Sequence, residues 1–422
     1  MPVLLVPSVR LTALLLLLSL STARAADTSQ LGSRLEPILE AAQAMNPSAA
    51  AAALSAEASL NKVGGAGTLP DPTFRAQYGE MNCMPGPVPM RSETCTQLSI
   101  EQEFPLWGKR GLAREVATAQ ASQAAADRDR VKLDIVAAAK QAFAEYYVAY
   151  ESARITDDIR RTVGLTADVA QKRYEQALGT QQDAIALKVE LAELDTATTR
   201  KEADKRRATA RINALLNRPI GQPLAAPEEL PSTPSYETLS LDKLLARAQQ
   251  TNPAIKAQDA AIAMASGAKS LAEKSWYPDV TVGVSMMDQA HYAPAYAGML
   301  SLKIPLNAAQ RRAETRAAIS EMGAARNRRD AAEAEIRGNL ETSFLNLREA
   351  QEIAAILHQS HIPQADLAFN SALSAYSQNR VGLTAVLDAE RHVLQNQLEH
   401  LMALLAEQKA VAEIERQIGG PL

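Results

Sequence analysis

Aromatic residues make up only 4% of this 422-residue chain, so the usual filler of a compact mixed core is missing. Neither sign of charge is in excess. With 44 Lys+Arg against 48 Asp+Glu, the net of −4 leaves no basic field of the kind that holds a phosphate backbone, which argues against nucleic acid as a partner. Cysteine is down to two, Cys83 and Cys95. The pair fits an oxidising compartment and can close a small loop, although the separation permits the bond without requiring it. Long apolar runs are missing beyond the N-terminus, so no helix there can cross a membrane. Proline is missing between Leu106 and Pro219, and after Gly111 the only glycines in that span are Gly164 and Gly179. A stretch so free of breakers predicts one helix from Lys109 to Ala177, roughly 100 Å long at ~1.5 Å per residue.

Apolar residues nevertheless account for 47% of the chain, which excludes disorder, and Ala-, Glu-, Gln-, Arg- and Leu-rich stretches point to extended helix. Residues 1–25 read as a cleaved export signal: Arg10, the apolar run Leu11 to Leu20, and Ala23-Arg24-Ala25 in the small-x-small pattern. No cysteine stands at that site for lipid attachment. An exported chain without a spanning helix is either soluble outside the inner membrane or a β-barrel.

The chain repeats itself. Asn46-Pro47 is echoed by Asn252-Pro253, Pro70-Asp71 by Pro278-Asp279, Phe104-Pro105-Leu106 by Ile304-Pro305-Leu306, and Tyr174 by Tyr376. Leu215-Leu216-Asn217 closes the first copy as Ile418-Gly419 closes the second. The expected organisation is a first unit at 26–218, a Pro-rich linker at 219–238 and a second unit at 239–422, each unit a helix, two short strands and a long helical hairpin. Pro363 predicts a kink in the second hairpin. Apolar stripes at spacings of three and four are expected to pack it: Leu133, Val136, Phe143, Tyr147 and Tyr150 in the first, Ile336, Leu340, Phe344 and Leu347 in the second.

The strands decide between a soluble rod and something else. Leu98, Ile100 and Phe104 alternate with polar neighbours, as do Val280, Val282, Val284 and Met286, then Leu300, Leu302 and Ile304, and more weakly Phe74, Ala76 and Tyr78. Any half-buried antiparallel sheet needs this period of two, and so does a membrane barrel. Four strands cannot close alone, because the smallest membrane barrels need eight. Three chains would supply twelve and leave a lumen.

These features together resemble the TolC family of outer-membrane efflux channels. The resemblance rests on the twofold repeat, the Asn-Pro and Pro-Asp pairs, the QEFPLWGKR turn at Gln102 to Arg110, and the segments RYEQALGTQQDAIALKVEL (Arg173 to Leu191) and AYSQNRVGLTAVLDAER (Ala375 to Arg391). The Pro-Leu-Trp-Gly-Lys form of the first turn is nearest the heavy-metal, CzcC- and CusC-like branch. The resemblance implies a mainly α fold with a small β portion: a trimeric α-helical barrel joined to a 12-stranded outer-membrane β-barrel. It implies a passive exit duct serving a periplasmic adaptor protein and an inner-membrane RND-type transporter, with heavy-metal cations or small toxic molecules as cargo. Type I protein secretion uses similar channels, and a periplasmic coiled-coil adaptor shares the hairpins but carries one rather than two.

The two hairpin turns are then the periplasmic tip, with Gly179, Thr180, Gln181, Arg380, Val381, Gly382 and Leu383 for adaptor docking. Asp183 and Asp388 are candidate gate carboxylates, and helix capping is the alternative reading of both. Where the family commonly has glycine three residues after the tyrosine, this chain has Ala177 and Asn379, so the first turn is expected to shift to Gly179. No phosphate loop, nucleophile elbow or other enzymatic pattern is present, and no cofactor is expected. His358 with His361, and Asp388 with His392, are each half a metal site at most. Met81, Cys83, Met84, Met90 and Cys95 gather in the first strand-to-strand loop, with Met286, Met287, His291 and Met299 around the second, where thioether lining or a plain loop disulfide is the simpler reading than soft-metal binding.

Overall fold

The computed structural model describes residues 31–81, 93–177, 179–289 and 292–422. The export signal, Cys83, Met84, Met90 and His291 lie outside them. Two short helices, α1 (Leu35–Met45) and α2 (Pro47–Ala66), lead into strands β1 (Thr73–Met81) and β2 (Glu93–Phe104). Two long helices follow, α3 (Lys109–Glu175) and α4 (Gln181–Leu215). The order then recurs: α5 (Leu241–Thr251), α6 (Pro253–Lys274), β3 (Asp279–Gln289), β4 (Tyr292–Lys303), α7 (Ala308–Ile356), α8 (Ile362–Ser377) and α9 (Leu383–Ile418). The 67 residues of α3 span roughly 100 Å at ~1.5 Å each. Between α7 and α8 the backbone widens into one π turn, Leu357–His361. Pro363 sits in the first turn of α8 and offers no N–H to the carbonyl one turn back, and the widened turn absorbs that loss.

The repeated Asn-Pro pairs have a common job. Pro47 and Pro253 occupy first helical positions, where a missing N–H costs nothing. Asn46 Oδ1 accepts from the Ser48 amide at 2.8 Å, and its Nδ2 donates to the Leu215 carbonyl at 3.0 Å. Asn252 does the same with the Ala254 amide at 2.7 Å and the Gln417 carbonyl at 2.7 Å. Each asparagine thus caps a leading helix and ties it to the end of the returning one. Those ends close with left-handed residues, Asn217 (φ 52°) and Gly419 (φ 79°), whose following amides reach back to Asn213 and Glu415. At 419 a side chain would press on the Thr251 carbonyl at 2.9 Å, so glycine is required there.

The cores are Ala-rich and distributed along the helices. One joins Ile38, Ile135, Ala139, Phe143, Tyr146 and Ile212, and its counterpart joins Leu244, Ile255, Ile336, Leu340, Leu347 and Ile414. A third, at the hairpin turns, holds Val163, Leu187, Leu194, Tyr376, Leu383 and Leu387. The stripe expected on α7 is the buried one apart from half-buried Phe344. On α3 the stripe is offset: Phe143 is buried with Ile135, Ala139 and Tyr146, whereas Leu133, Val136, Tyr147 and Tyr150 are half-buried. Because α3 packs against α1, α2, α4, α6 and α9, it buries more than one face, and a single stripe under-describes it.

The Pro-rich segment at 219–238 is held down along its length. The Ala225 and Glu228 amides donate to the Leu31 and Ser33 carbonyls, each at 2.9 Å. Tyr146 Oη donates to the Ala225 carbonyl, Gln408 Nε2 to Pro231 and Gln351 Nε2 to Pro234. It is a strap across α3, α7 and α9.

Candidate functional site

Two regions carry the features that bear on function, the sheet and the hairpin turns. The described strands form one antiparallel sheet in the order β1-β2-β3-β4, so the two strand pairs meet at β2 and β3, and β1 and β4 are edges without a partner among the described residues. The register puts the apolar sets of all four strands on one face. Phe74, Ile100, Val284 and Gly298 lie in one row, Ala76, Leu98, Met286 and Tyr296 in the next. That face is bare: Tyr78 is 79% exposed, Tyr296 78% and Leu300 77%. The opposite face carries Arg75, Ser99, Ser285, Gln77, Gln97, Thr281 and Ser301, with Arg75 paired to Glu101 at 3.3 Å. A soluble sheet would bury its apolar face against a layer of helix; this one leaves much of that face exposed.

The QEFPLWGKR turn is what mounts the sheet on the helices. Trp107 and Gly108 are both left-handed (φ 63° and 79°), which throws the chain from β2 into α3. Trp107 Nε1 donates to the Pro278 carbonyl at 2.8 Å, and its ring lies 5.2 Å from that of Tyr277. Lys109 Nζ donates to the Tyr277 carbonyl and to Asp279, each at 2.8 Å, in an ion pair whose side chains are 13% and 19% exposed. Two motifs recognised separately, Trp-Gly-Lys in the first unit and Pro-Asp in the second, are therefore the two halves of one clamp.

At the other end, the turn does not shift to Gly179. Ala177 itself takes the left-handed conformation (φ 60°), as Asn379 does in the second hairpin (φ 59°), so the turn geometry wins over the intrinsic preference of alanine. Thr180 caps α4, its hydroxyl accepting from the Asp183 amide at 3.1 Å. Asp183 lies in that first turn and accepts from Tyr376 Oη at 3.5 Å. Burial, with the Asp183 carboxylate next, raises the Tyr376 phenol above its ordinary value. Arg173 stacks over the Tyr376 ring, donates to the Tyr376 carbonyl and pairs with the Asn379 amide oxygen, tying the two hairpins together. Asp388 is exposed and lies beyond the first turn of α9, so helix capping does not describe it. Thr180, Gln181, Arg380, Val381 and Gly382 are exposed and Gly179 half-buried, whereas Leu383 is buried in the tip cluster and has no face to offer a partner.

One residue of this region carried no expectation from motif reasoning. Glu390 is 1% exposed, and neither carboxylate oxygen has a hydrogen-bond partner. Its signal in the sequence is its position, a carboxylate within the apolar stripe Leu383, Val386, Leu387, Val393 and Leu394. Among the described residues no group of three His, Cys, Asp or Glu side chains is placed to hold a metal. His358 stacks instead on His400, 5.6 Å between ring centroids, and burial followed by the nearby His358 lowers the His400 pKa. Cys95 is buried and disulfide-bonded. No described helix is long and apolar enough to cross a membrane.

Residues 244–420 match the family described as Outer membrane efflux protein. The chain is 23% identical over 386 residues to the cobalt-zinc-cadmium resistance protein CzcC of Cupriavidus metallidurans, covering 91% of this chain and 90% of that one. It superposes on the outer-membrane channel OprN with a TM-score of 0.80 at 19% identity, covering 92% and 90% of the two chains. Vibrio cholerae VceC gives 0.78 at 17% identity over 92% and 96%, and CusC gives 0.77 at 14% over 93% and 94%. The bare apolar face, the helical hairpins beneath it and these likenesses agree: the chain carries an outer membrane efflux family domain at 244–420 and has the fold of the TolC-like outer-membrane channels.

Proposed function

We propose that three copies of this chain assemble into the passive exit duct of a tripartite efflux system. The observation that carries the reading is the four-stranded sheet with a bare apolar face and two open edges, set at one end of helices roughly 100 Å long. In lipid an open edge leaves backbone groups unsatisfied, and joining β4 of one copy to β1 of the next satisfies them. Twelve strands then enclose a lumen with the polar face inward. The helices carry exposed apolar residues as well, among them Leu54, Leu60, Leu165, Ile185, Ile319 and Ile356, which neighbouring copies would cover.

In this reading each chain has two units joined by the strap at 219–238, after an export signal at 1–25. The turns form the periplasmic tip. Exposed Thr180, Gln181, Arg380, Val381 and Gly382, with Gly179 behind them, receive a periplasmic adaptor, Leu383 supports them from within, and the adaptor connects to an RND-type transporter in the inner membrane. The likeness to CzcC favours divalent heavy-metal cations as cargo. A threefold axis would repeat Asp183 and Asp388 around the mouth as carboxylate rings. The test is single-channel recording in planar bilayers joined to metal tolerance in cells. Asp388→Ala should reduce cation selectivity with trimer yield unchanged. Gly382→Trp should abolish metal efflux while the isolated channel still conducts. Unaltered selectivity removes the ring, and normal efflux removes the docking role.

A further inference from the structure

The apolar tip cluster contains two carboxylates that its packing does not need. Glu190 of α4 is 5% exposed and is bound by Arg391 Nη2 at 2.6 Å. Glu390 of α9 is 1% exposed with both oxygens unpartnered, one residue before that same arginine. The charges that act on Glu390 are Glu190, like in sign, and Arg391, which is already engaged by Glu190 and lies 3.9 Å from Glu193. Asp388, on the same helix, acts on Arg391 too. From α3 and α8 the cluster receives Val163, Ala167, Ala170, Phe369 and Leu373, which do not titrate. Tyr376, Asp183 and Arg173 form their own set about two helical turns nearer the hairpin turns.

We propose that Glu390 is a proton-operated latch on the tip: protonated, it packs as a neutral side chain in the apolar stripe, and ionised, it opposes Glu190 and loosens the cluster. A neutral carboxyl in apolar surroundings is tolerable, whereas an unpaired carboxylate there is not. Burial, and then the Glu190 charge, push Glu390 up to about 7. The packed tip therefore holds its proton at pH values where an opened, hydrated tip has released it. Packing is favoured at low pH and is lost progressively as pH rises from the ordinary carboxylate range to about 7, above which the loss is complete. The latch rests on the reading of these turns as the tip of a channel, and its ligand is the proton itself.

The experiment is amide hydrogen exchange of the full-length protein in lipid nanodiscs, corrected for intrinsic exchange, followed over 183–194 and 383–394. For wild type the protection of these segments should fall about twentyfold between pH 5.5 and 7.5, the change that linkage gives for a carboxyl moved from its ordinary value to about 7. Glu390→Gln should hold its protection across that range. Glu190→Gln removes the repulsion and releases Arg391 to Glu390, so its transition should move to lower pH. Flat protection in wild type, an undiminished pH response in Glu390→Gln, or an unmoved transition in Glu190→Gln would overturn the latch. Conductance recorded on the same preparations separates the two readings: a channel that conducts at every pH without responding to it contradicts the latch alone, and no conductance in any form contradicts the channel while exchange still decides the latch.

Discussion

The two ends of this molecule join the same two units by opposite means. At the sheet end, Trp107 and Lys109 reach across to the Tyr277, Pro278 and Asp279 backbone and carboxylate, and ten residues of β2 pair with β3. At the hairpin turns, the link between hairpins is an apolar cluster with a few polar contacts around Tyr376 and one ion pair, Glu190 with Arg391, beside the buried and unpartnered Glu390. A sheet laced by backbone hydrogen bonds and a partly buried ion pair has one arrangement. A tip that carries a left-handed alanine and an unpartnered Glu390 stores unfavourable energy that opening would release. In the proposed duct, this difference would make the sheet the fixed part and the turns the moving part.

The sharpest way to break the comparison is to ask which face of the sheet meets lipid. Replacing Val282 or Leu302 by Arg should cost about 2–4 kcal/mol near the bilayer midplane, while Ser301→Arg, on the polar face, should cost much less. Unfolding titrations of the three variants in bilayers would reveal this, and equal costs would mean a soluble sheet. The next effect is at the clamp. Lys109→Ala or Asp279→Ala should each destabilise by about 1–2 kcal/mol, reduced from the fully buried case because both side chains are 13–19% exposed. A double-mutant cycle should recover a favourable coupling, and additive losses would show that the two side chains act apart.

At the tip the effects are smaller and of opposite sign. Ala177→Gly should stabilise by up to about 1 kcal/mol, since glycine takes φ 60° without the Cβ penalty. Asn379→Gly should gain less, because asparagine already tolerates that region and its side chain pairs with Arg173. Thermal unfolding that ranks the two the other way round would contradict the strain assigned to the first turn.

Much of this was legible in the sequence, because it depended on period and punctuation. The alternation at Val280, Val282 and Val284 identifies a strand and its apolar face, and the missing prolines after Leu106 identify α3. The recurrence of Asn-Pro and Pro-Asp marks two units, but a repeat does not say what its residues touch. That Asn46 and Asn252 cap one helix while holding another, and that Trp107 meets Pro278, depends on contacts between residues about 165–171 apart in sequence. The sequence points the first turn to Gly179 because glycine prefers φ > 0, whereas hairpin geometry fixes the left-handed position at Ala177. A single stripe does not describe α3, because a helix with neighbours on several sides has no single buried face. Glu390 was visible as a carboxylate in an apolar stripe, yet only the structure shows that no partner reaches it.

The central claim is that one chain is an incomplete barrel. Native mass spectrometry of protein extracted in detergent tests it directly. The account predicts a single species of three chain masses with its β-sheet signal intact. A stable monomer that keeps that signal would contradict it, because four strands with two open edges would then suffice in an apolar environment.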